Sequence, residues 1–201
     1  MHLKWVRNIL SKYISTHPQF RTSLVPLDPH DEDPELIVEM KIAARSARTG
    51  PMASVAGLVA AEIGKCLIDY GYNGEFVIEN GGDICLQIND VIVLGIETGA
   101  NQFFRNLGLK IFPRETAFGV CTSSGTMGHS YSMGKSDAVT VIANNVALAD
   151  AWATSIGNRI INKKDLNDAN FDFADEEIDA GVAIKDDQFG IRGRVEIVPL
   201  A

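Results

Sequence analysis

The sequence predicts an α+β fold, a mostly antiparallel sheet packed with helices. Three observations predict it. The first third reads as helices, the middle is a series of short strand-like segments linked by turns, and one long helix interrupts the strands late in the chain. The length of 201 residues suits a single domain, with room for two lobes: about 1–75 helical, and 76–201 strand-rich with one long helix.

Taken in order, Leu3 to Ser15 forms an amphipathic helix with Leu3, Val6, Leu10 and Ile14 on one stripe. The loop from Pro26 to Pro34 carries three prolines and four acids, which deny it helix and keep it solvated. Glu35 to Arg48 is helical. Gly50-Pro51 then breaks the chain and starts another helix near Met52, since proline is tolerated in a first turn. That helix, Ala53 to Tyr70, holds Gly57 and Gly64 in its interior, each costing about 1 kcal/mol against alanine. Close packing on a sheet accounts for them; backbone approach to a ligand near Gly57 is the sharper account.

After the turn Gly71 to Gly74, strands are expected at Phe76–Glu79, Ile84–Ile88, Val91–Glu97, Leu107–Phe112, Phe118–Thr122 and Ala138–Ala143. Asn89-Asp90 between the second and third suggests a hairpin. A helix from about Asn145 to Asn162 follows, and short strands near Val182–Lys185, Phe189–Arg192 and Val195–Val198 close the chain. Lys163 to Asp179 carries seven acids against two lysines. It fails as an EF-hand, because Ala169 stands where a ligand is needed and Asn170 where glycine makes the turn; it reads as a solvated surface loop.

Eighteen basic against 26 acidic residues give a net charge of −8, which argues against a general nucleic-acid binder. No apolar run reaches the roughly 18 residues that span a bilayer, so no membrane association is expected. The three cysteines, Cys66, Cys85 and Cys121, include no C-x-x-C, and the N-terminus has no continuous apolar segment of a signal peptide. A cytoplasmic setting is expected.

Three constellations could carry chemistry. Glu79-Asn80-Gly81-Gly82-Asp83 lies between two strands, where paired glycines permit positive φ and close backbone approach; a tight hairpin explains the glycines equally. Thr122-Ser123-Ser124-Gly125 opens a stretch rich in glycine and hydroxyl side chains that runs to Lys135 and offers donors to a phosphate. It is neither a Walker A loop nor a nucleophile elbow. His129 within it is either a structural histidine or a proton acceptor. Asp150, Thr154 and Asn158 stand at i, i+4 and i+8 on one helix face, as oxygen ligands of a hard cation such as Mg²⁺ or as a surface hydrogen-bonded pair.

These motifs, in this order, resemble the ApbE-like superfamily, which includes the Mg²⁺-dependent FAD:protein FMN transferases. Residues Gly50 to Gly57, Glu79 to Asp83 and Thr122 to Ser130 are most similar to a short branch of that group, and the likeness covers almost the whole chain. The resemblance implies an ApbE-like fold. It implies Mg²⁺ on Asp150 and Thr154, helped by a main-chain carbonyl near Val55. It implies an FAD site lined by Gly57, Asn80, Gly81, Gly82, Asp83, Thr122, Ser123, Ser124 and Gly125, with His129 as the catalytic base. The transferases carry a Lys-Gly pair where Ala56-Gly57 stands here, and a later aspartate on that helix that is missing until Asp69. Two functions follow. One is a Mg²⁺-dependent enzyme that binds FAD or a related nucleotide and cleaves or transfers across its pyrophosphate, with a protein acceptor among its partners. The other is an inactive flavin- or small-molecule-binding or regulatory protein on the same scaffold. A metabolic enzyme with an unrelated small substrate is a third reading. Apolar strands that end in an open edge suit a homodimer.

Overall fold

A computed structural model of the chain describes residues 1–126, 133–166, 173 and 176–200. The helical part comprises α1 (His2–Thr16), α2 (Pro18–Thr22), α3 (Glu35–Ala47), a 3-10 turn (Pro51–Ser54) and α4 (Val55–Asp69). It is followed by β1 (Phe76–Asn80), β2 (Asp83–Gln87), β3 (Ile92–Gly95), β4 (Leu107–Ile111), β5 (Phe118–Ser123) and β6 (Ala138–Ala143). Then come α5 (Val146–Arg159), a second 3-10 turn (Lys163–Asp165), β7 (Ile178–Lys185), β8 (Gln188–Gly193) and β9 (Glu196–Pro199). The fold is α+β, as the sequence predicts.

Two antiparallel sheets form, one of six strands in the order β1-β2-β5-β6-β7-β8 and one of three in the order β3-β4-β9. Helices α4 and α5 cover one face of the larger sheet, and α1 and α3 pack outside them. The smaller sheet closes the other face. Side chains of a strand alternate between faces, so β6 must satisfy two cores at once. Val139, Val141 and Ala143 enter the helix-side core, while Ala138 and Ile142 enter the core between the sheets. All six residues of β6 are therefore buried. Strand β5 divides in the same way, with Cys121 toward the helices and Phe118 and Val120 toward the smaller sheet.

The expected hairpin between the second and third strands does not form. Both edges of β2 are occupied, by β1 and by β5, so β3 joins β4 in the other sheet. The Asn89-Asp90 turn instead folds back on Glu75, whose Oε1 accepts from the Asn89 N–H at 2.5 Å. Of the expected α1 stripe, Val6 and Leu10 are buried and Ile14 packs against the core, joined by Tyr13; only Leu3 departs from it, being exposed. Strand β7 starts four residues earlier than expected, with a register shift against β6 at Ile142/Ala143. The expected helix from Ala53 begins as a 3-10 turn and becomes α-helical at Val55.

The segment Pro51–Asp69 is 19 residues long with mean hydropathy 1.4, long and apolar enough to cross a membrane by length and composition. Here its apolar residues pack against α1, α5, β1 and β2. The proline-rich strap between α2 and α3 is tied down by a buried ion pair. Lys41 Nζ reaches Asp33 Oδ2 at 2.7 Å, and also donates to Tyr13 Oη and to the Asp28 carbonyl. Tyr13 Oη donates to the other oxygen of Asp33 at 2.7 Å, so the Lys41 charge is held by three groups rather than left bare. The strap then lies directly on Gly50, where a Cβ would collide with the Ser23 carbonyl.

Candidate functional site

Helix α5 carries the centre of the site. Its N-terminus is fixed by Asn145, whose side chain accepts from the Leu148 N–H at 2.8 Å and donates to Glu39 Oε1 at 3.1 Å. One turn further on, Asp150 faces α4. Its Oδ2 accepts from the Gly57 N–H at 2.8 Å. Gly57 is required there, because a Cβ would stand 2.7 Å from the Val146 carbonyl and 2.8 Å from Asp150 Cβ. The interior glycine thus lets two helices touch, and the carboxylate of one is oriented by the backbone of the other.

The turn between β1 and β2 brings Asp83 to the same place. Gly81 and Gly82 have φ of 69° and 101°, a region that side chains disfavour. Glu79 Oε1 accepts from the Gly82 N–H at 2.7 Å, and the Gly82 carbonyl accepts from the Thr122 N–H at 3.0 Å. Asn80 donates to the Ala56 carbonyl, which fastens the turn to the start of α4. From β5 arrive Thr122, Ser123 and Ser124, with the Thr122 hydroxyl 2.9 Å from that of Thr140.

Asp83 and Asp150 are each only 7% exposed, and neither forms an ion pair with a described residue. Burial pushes the Asp83 carboxyl up to about 7, with the charge of Glu79 adding to the effect. Burial also holds Asp150 well above the usual carboxylate range, and the neighbouring Asp83 charge pushes the same way. Asp83 Oδ1 is buried with no hydrogen-bond partner among the described residues. Behind the pair, the buried Cys121 thiol is raised by desolvation and by both carboxylates, which makes it inert as a nucleophile.

Two clefts meet at this pair. One, of about 420 Å³, is lined by the turn residues Glu79, Gly81 and Gly82, by Thr122, Ser123 and Ser124 of β5 and its exit, and by Glu97. The other, of about 300 Å³, runs toward Arg21 at the end of α2, Ser23 and Leu24 of the strap, Thr49 and Met52 of the α3–α4 connection and Val55 at the start of α4. Asp83, Asp150 and Thr154 line both. In the larger cleft the described lining holds four carboxylates and no lysine or arginine.

Of the residues singled out in the sequence, Gly81, Gly82, Asp83, Thr122, Ser123, Ser124, Asp150 and Thr154 therefore share one cleft. Gly57 and Asn80 stand one layer behind it, holding Asp150 and the glycine turn. Gly125 lines neither cleft; its N–H donates to the Ser136 carbonyl. His129 lies outside the described residues. Asn158, the third residue of the helical series, accepts from the Met133 N–H and lines the smaller cleft. Glu97, Arg21 and Thr49 were not anticipated. Nothing local marks them, since each reaches the clefts only through tertiary packing.

The chain belongs to the family described as AbpE bacteria, whose profile matches residues 2–182. This is the ApbE-like membership that the motifs pointed to. Among its relatives, UPF0280 protein MJ1526 of Methanocaldococcus jannaschii is 39% identical over 193 residues, spanning 92% of this chain and 77% of that one. A UPF0280 protein of Methanocella arvoryzae is 40% identical over 192 residues, spanning 94% and 77%. Among solved structures, the apo form of Pseudomonas stutzeri flavinyl transferase ApbE aligns with a TM-score of 0.48 at 14% identity, covering 92% of this chain and 71% of that one.

Proposed function

We propose that the protein is a Mg²⁺-dependent enzyme that binds FAD or a related nucleotide and cleaves or transfers across its pyrophosphate. The observation that carries this reading is the convergence of a buried, uncompensated carboxylate pair with two donor-rich loops on one cleft. The described lining offers a diphosphate four carboxyl groups and no lysine or arginine, so an anionic nucleotide needs a cation between it and the protein.

The residues present fit such a cation. Asp150 and Thr154 offer a carboxylate and a hydroxyl one helical turn apart, and the orphaned Asp83 Oδ1 lies on the same cleft wall. Asp150 and Thr154 would hold the ion, with Asp83 beside them. A Mg²⁺ ion held there would supply positive charge that offsets the charge developing on the leaving group.

The chain's own groups do the rest. Gly57 and Asn80 keep the carboxylates and the glycine turn in place. Ser123 and Ser124 present hydroxyls to the ligand, and the glycine turn lets its backbone approach closely. As an oxygen of water or of a protein acceptor's hydroxyl attacks one phosphorus, the bond to the bridging oxygen breaks and AMP leaves. His129 takes the attacking group's proton.

The test is incubation of purified protein with FAD and Mg²⁺, with chromatography for FMN and AMP, alongside thermal unfolding with each component. Asp150→Asn keeps an acceptor for the Gly57 N–H while removing the charge. It should abolish both turnover and the Mg²⁺-dependent thermal shift. Saturable flavin binding without product would support the inactive binding module instead. Neither turnover nor any thermal shift in the native protein would refute both.

A further inference from the structure

The two clefts differ in charge, and the difference is specific. The larger one ends at Glu79 and Glu97. The smaller one ends at Arg21, the single cationic side chain among the described residues that line either cleft. Arg21 is exposed at the last turn of α2 and makes no ion pair or hydrogen bond with another described residue. Thr49 lines the same recess; it is only 5% exposed, and its hydroxyl has no hydrogen-bond partner among the described residues. An unpartnered buried hydroxyl is costly unless a ligand or water completes it. Leu24, Met52 and Val55 give the recess an apolar wall.

The surrounding structure holds this end rigidly. The strap that bears Ser23 and Leu24 rests on Gly50, next to Thr49, and its far end is locked by the Lys41–Asp33 ion pair. Arg48, in the left-handed conformation with φ of 58°, ends α3, and the buried Thr49 follows it. A guanidinium, a buried hydroxyl without a partner and an apolar wall on a rigid frame are complementary to one chemistry. It is an anionic oxygen group, phosphate or carboxylate, carried on a small apolar body.

We propose that the Arg21–Thr49 end of the smaller cleft is an anion-recognising subsite, in which Arg21 supplies the charge, Thr49 the buried hydrogen bond and Met52 the apolar contact. It rests on the function proposed above only in being part of the same ligand groove. The subsite sits across the carboxylate pair from the glycine turn. The groove is therefore polar from end to end, with hydroxyl- or amino-bearing groups favoured near Glu97 and an anionic group near Arg21.

The experiment uses the full chain with divalent ions chelated, so that no cation at the acidic centre attracts the anion and binding reports the Arg21 end. Inorganic phosphate and phenyl phosphate are titrated by ³¹P NMR and by thermal shift. Native protein should bind both saturably, phenyl phosphate about tenfold more tightly. Arg21→Gln should weaken both at least tenfold. Thr49→Val should weaken both severalfold, with Thr49→Ser restoring them, and Met52→Gln should remove only the phenyl advantage. Arg45→Gln, at an exposed arginine of α3 that lines neither cleft, should change nothing. Circular dichroism of each variant establishes that it is folded. Native protein that does not bind phosphate, or an Arg21→Gln variant that binds it unchanged, overturns the proposal. Loss of the Asp150-dependent Mg²⁺ response with phosphate binding intact would instead count against the nucleotide reading alone.

Discussion

Replacing Gly57 by alanine tests the link between the fold and the site. At an exposed helical position the substitution stabilises by about 1 kcal/mol, because alanine loses less backbone freedom. Here the new Cβ would lie 2.7 Å from the Val146 carbonyl oxygen and 2.8 Å from Asp150 Cβ. Neither is the free end of a flexible chain, so α4 and α5 must separate. Overpacking of this kind costs roughly 1–3 kcal/mol. The separation also stretches the 2.8 Å bond from the Gly57 N–H to Asp150, a buried hydrogen bond of about 0.5–1.5 kcal/mol. Set against the helix gain, the net loss is about 2 kcal/mol, or a fall of about 4–8 °C in Tm for a chain of this length. Thermal and urea unfolding monitored by circular dichroism measure it. Gly64→Ala is the control: its Cβ would meet the Cys85 Sγ at 3.0 Å and the Phe76 ring at 3.1 Å, side chains that can yield, and its stability should stay within about 1 kcal/mol of native. A Gly57→Ala protein as stable as the native one, with its Mg²⁺ response intact, would refute the close approach of α4 to α5 and the role given to Gly57.

Three further outcomes are expected. Lys41→Met leaves Asp33 buried without its cation and should cost about 3–5 kcal/mol in urea unfolding, the usual result of breaking one side of a buried pair. The pH dependence follows from the same contact. Desolvation works to raise the Asp33 carboxyl, but hydrogen bonds from Lys41, Tyr13 and the His30 N–H outweigh it and hold the group at about 2, below its unfolded value near 3.9. Its contribution, about 2.5 kcal/mol, should be fully present above pH 5 and lost as pH falls through 2, and Lys41→Met should flatten that part of a stability–pH profile. Asn145→Ala removes the cap of α5 together with the bond to Glu39; it should cost about 1–2 kcal/mol by thermal unfolding and weaken the Mg²⁺ response, since α5 carries Asp150 and Thr154.

The sequence made most elements legible because their signals are local. The apolar periodicity of α1, α3 and α5 and the β-branched runs of β5 and β6 reflect which face of each element is buried. Strand pairing was less legible. The Asn89-Asp90 turn has hairpin chemistry, yet β2 is flanked by β1 and β5, and β5 lies more than thirty residues away in the chain. Neighbours in sequence therefore lost to a partner brought up by the sheet. The site divides along the same line. Glycine turns and a carboxylate–hydroxyl helix face announce themselves, and their meeting in one cleft matches the motif order. Glu97, Arg21 and Thr49 are ordinary residues in their own segments, and Gly57 could be read as packing or as ligand contact until α5 was seen against it.

Asp83, Asp150 and Thr154 form a wall common to two recesses, and this limits how the molecule can change. A substitution in that shared wall alters both chambers at once, so neither can be retuned from the middle. Only the extremities, near Glu97 on one side and near Arg21 on the other, can be varied independently. Selectivity for new ligands within this fold should accordingly be acquired at the outer rims, one rim at a time, around an unaltered acidic hinge point.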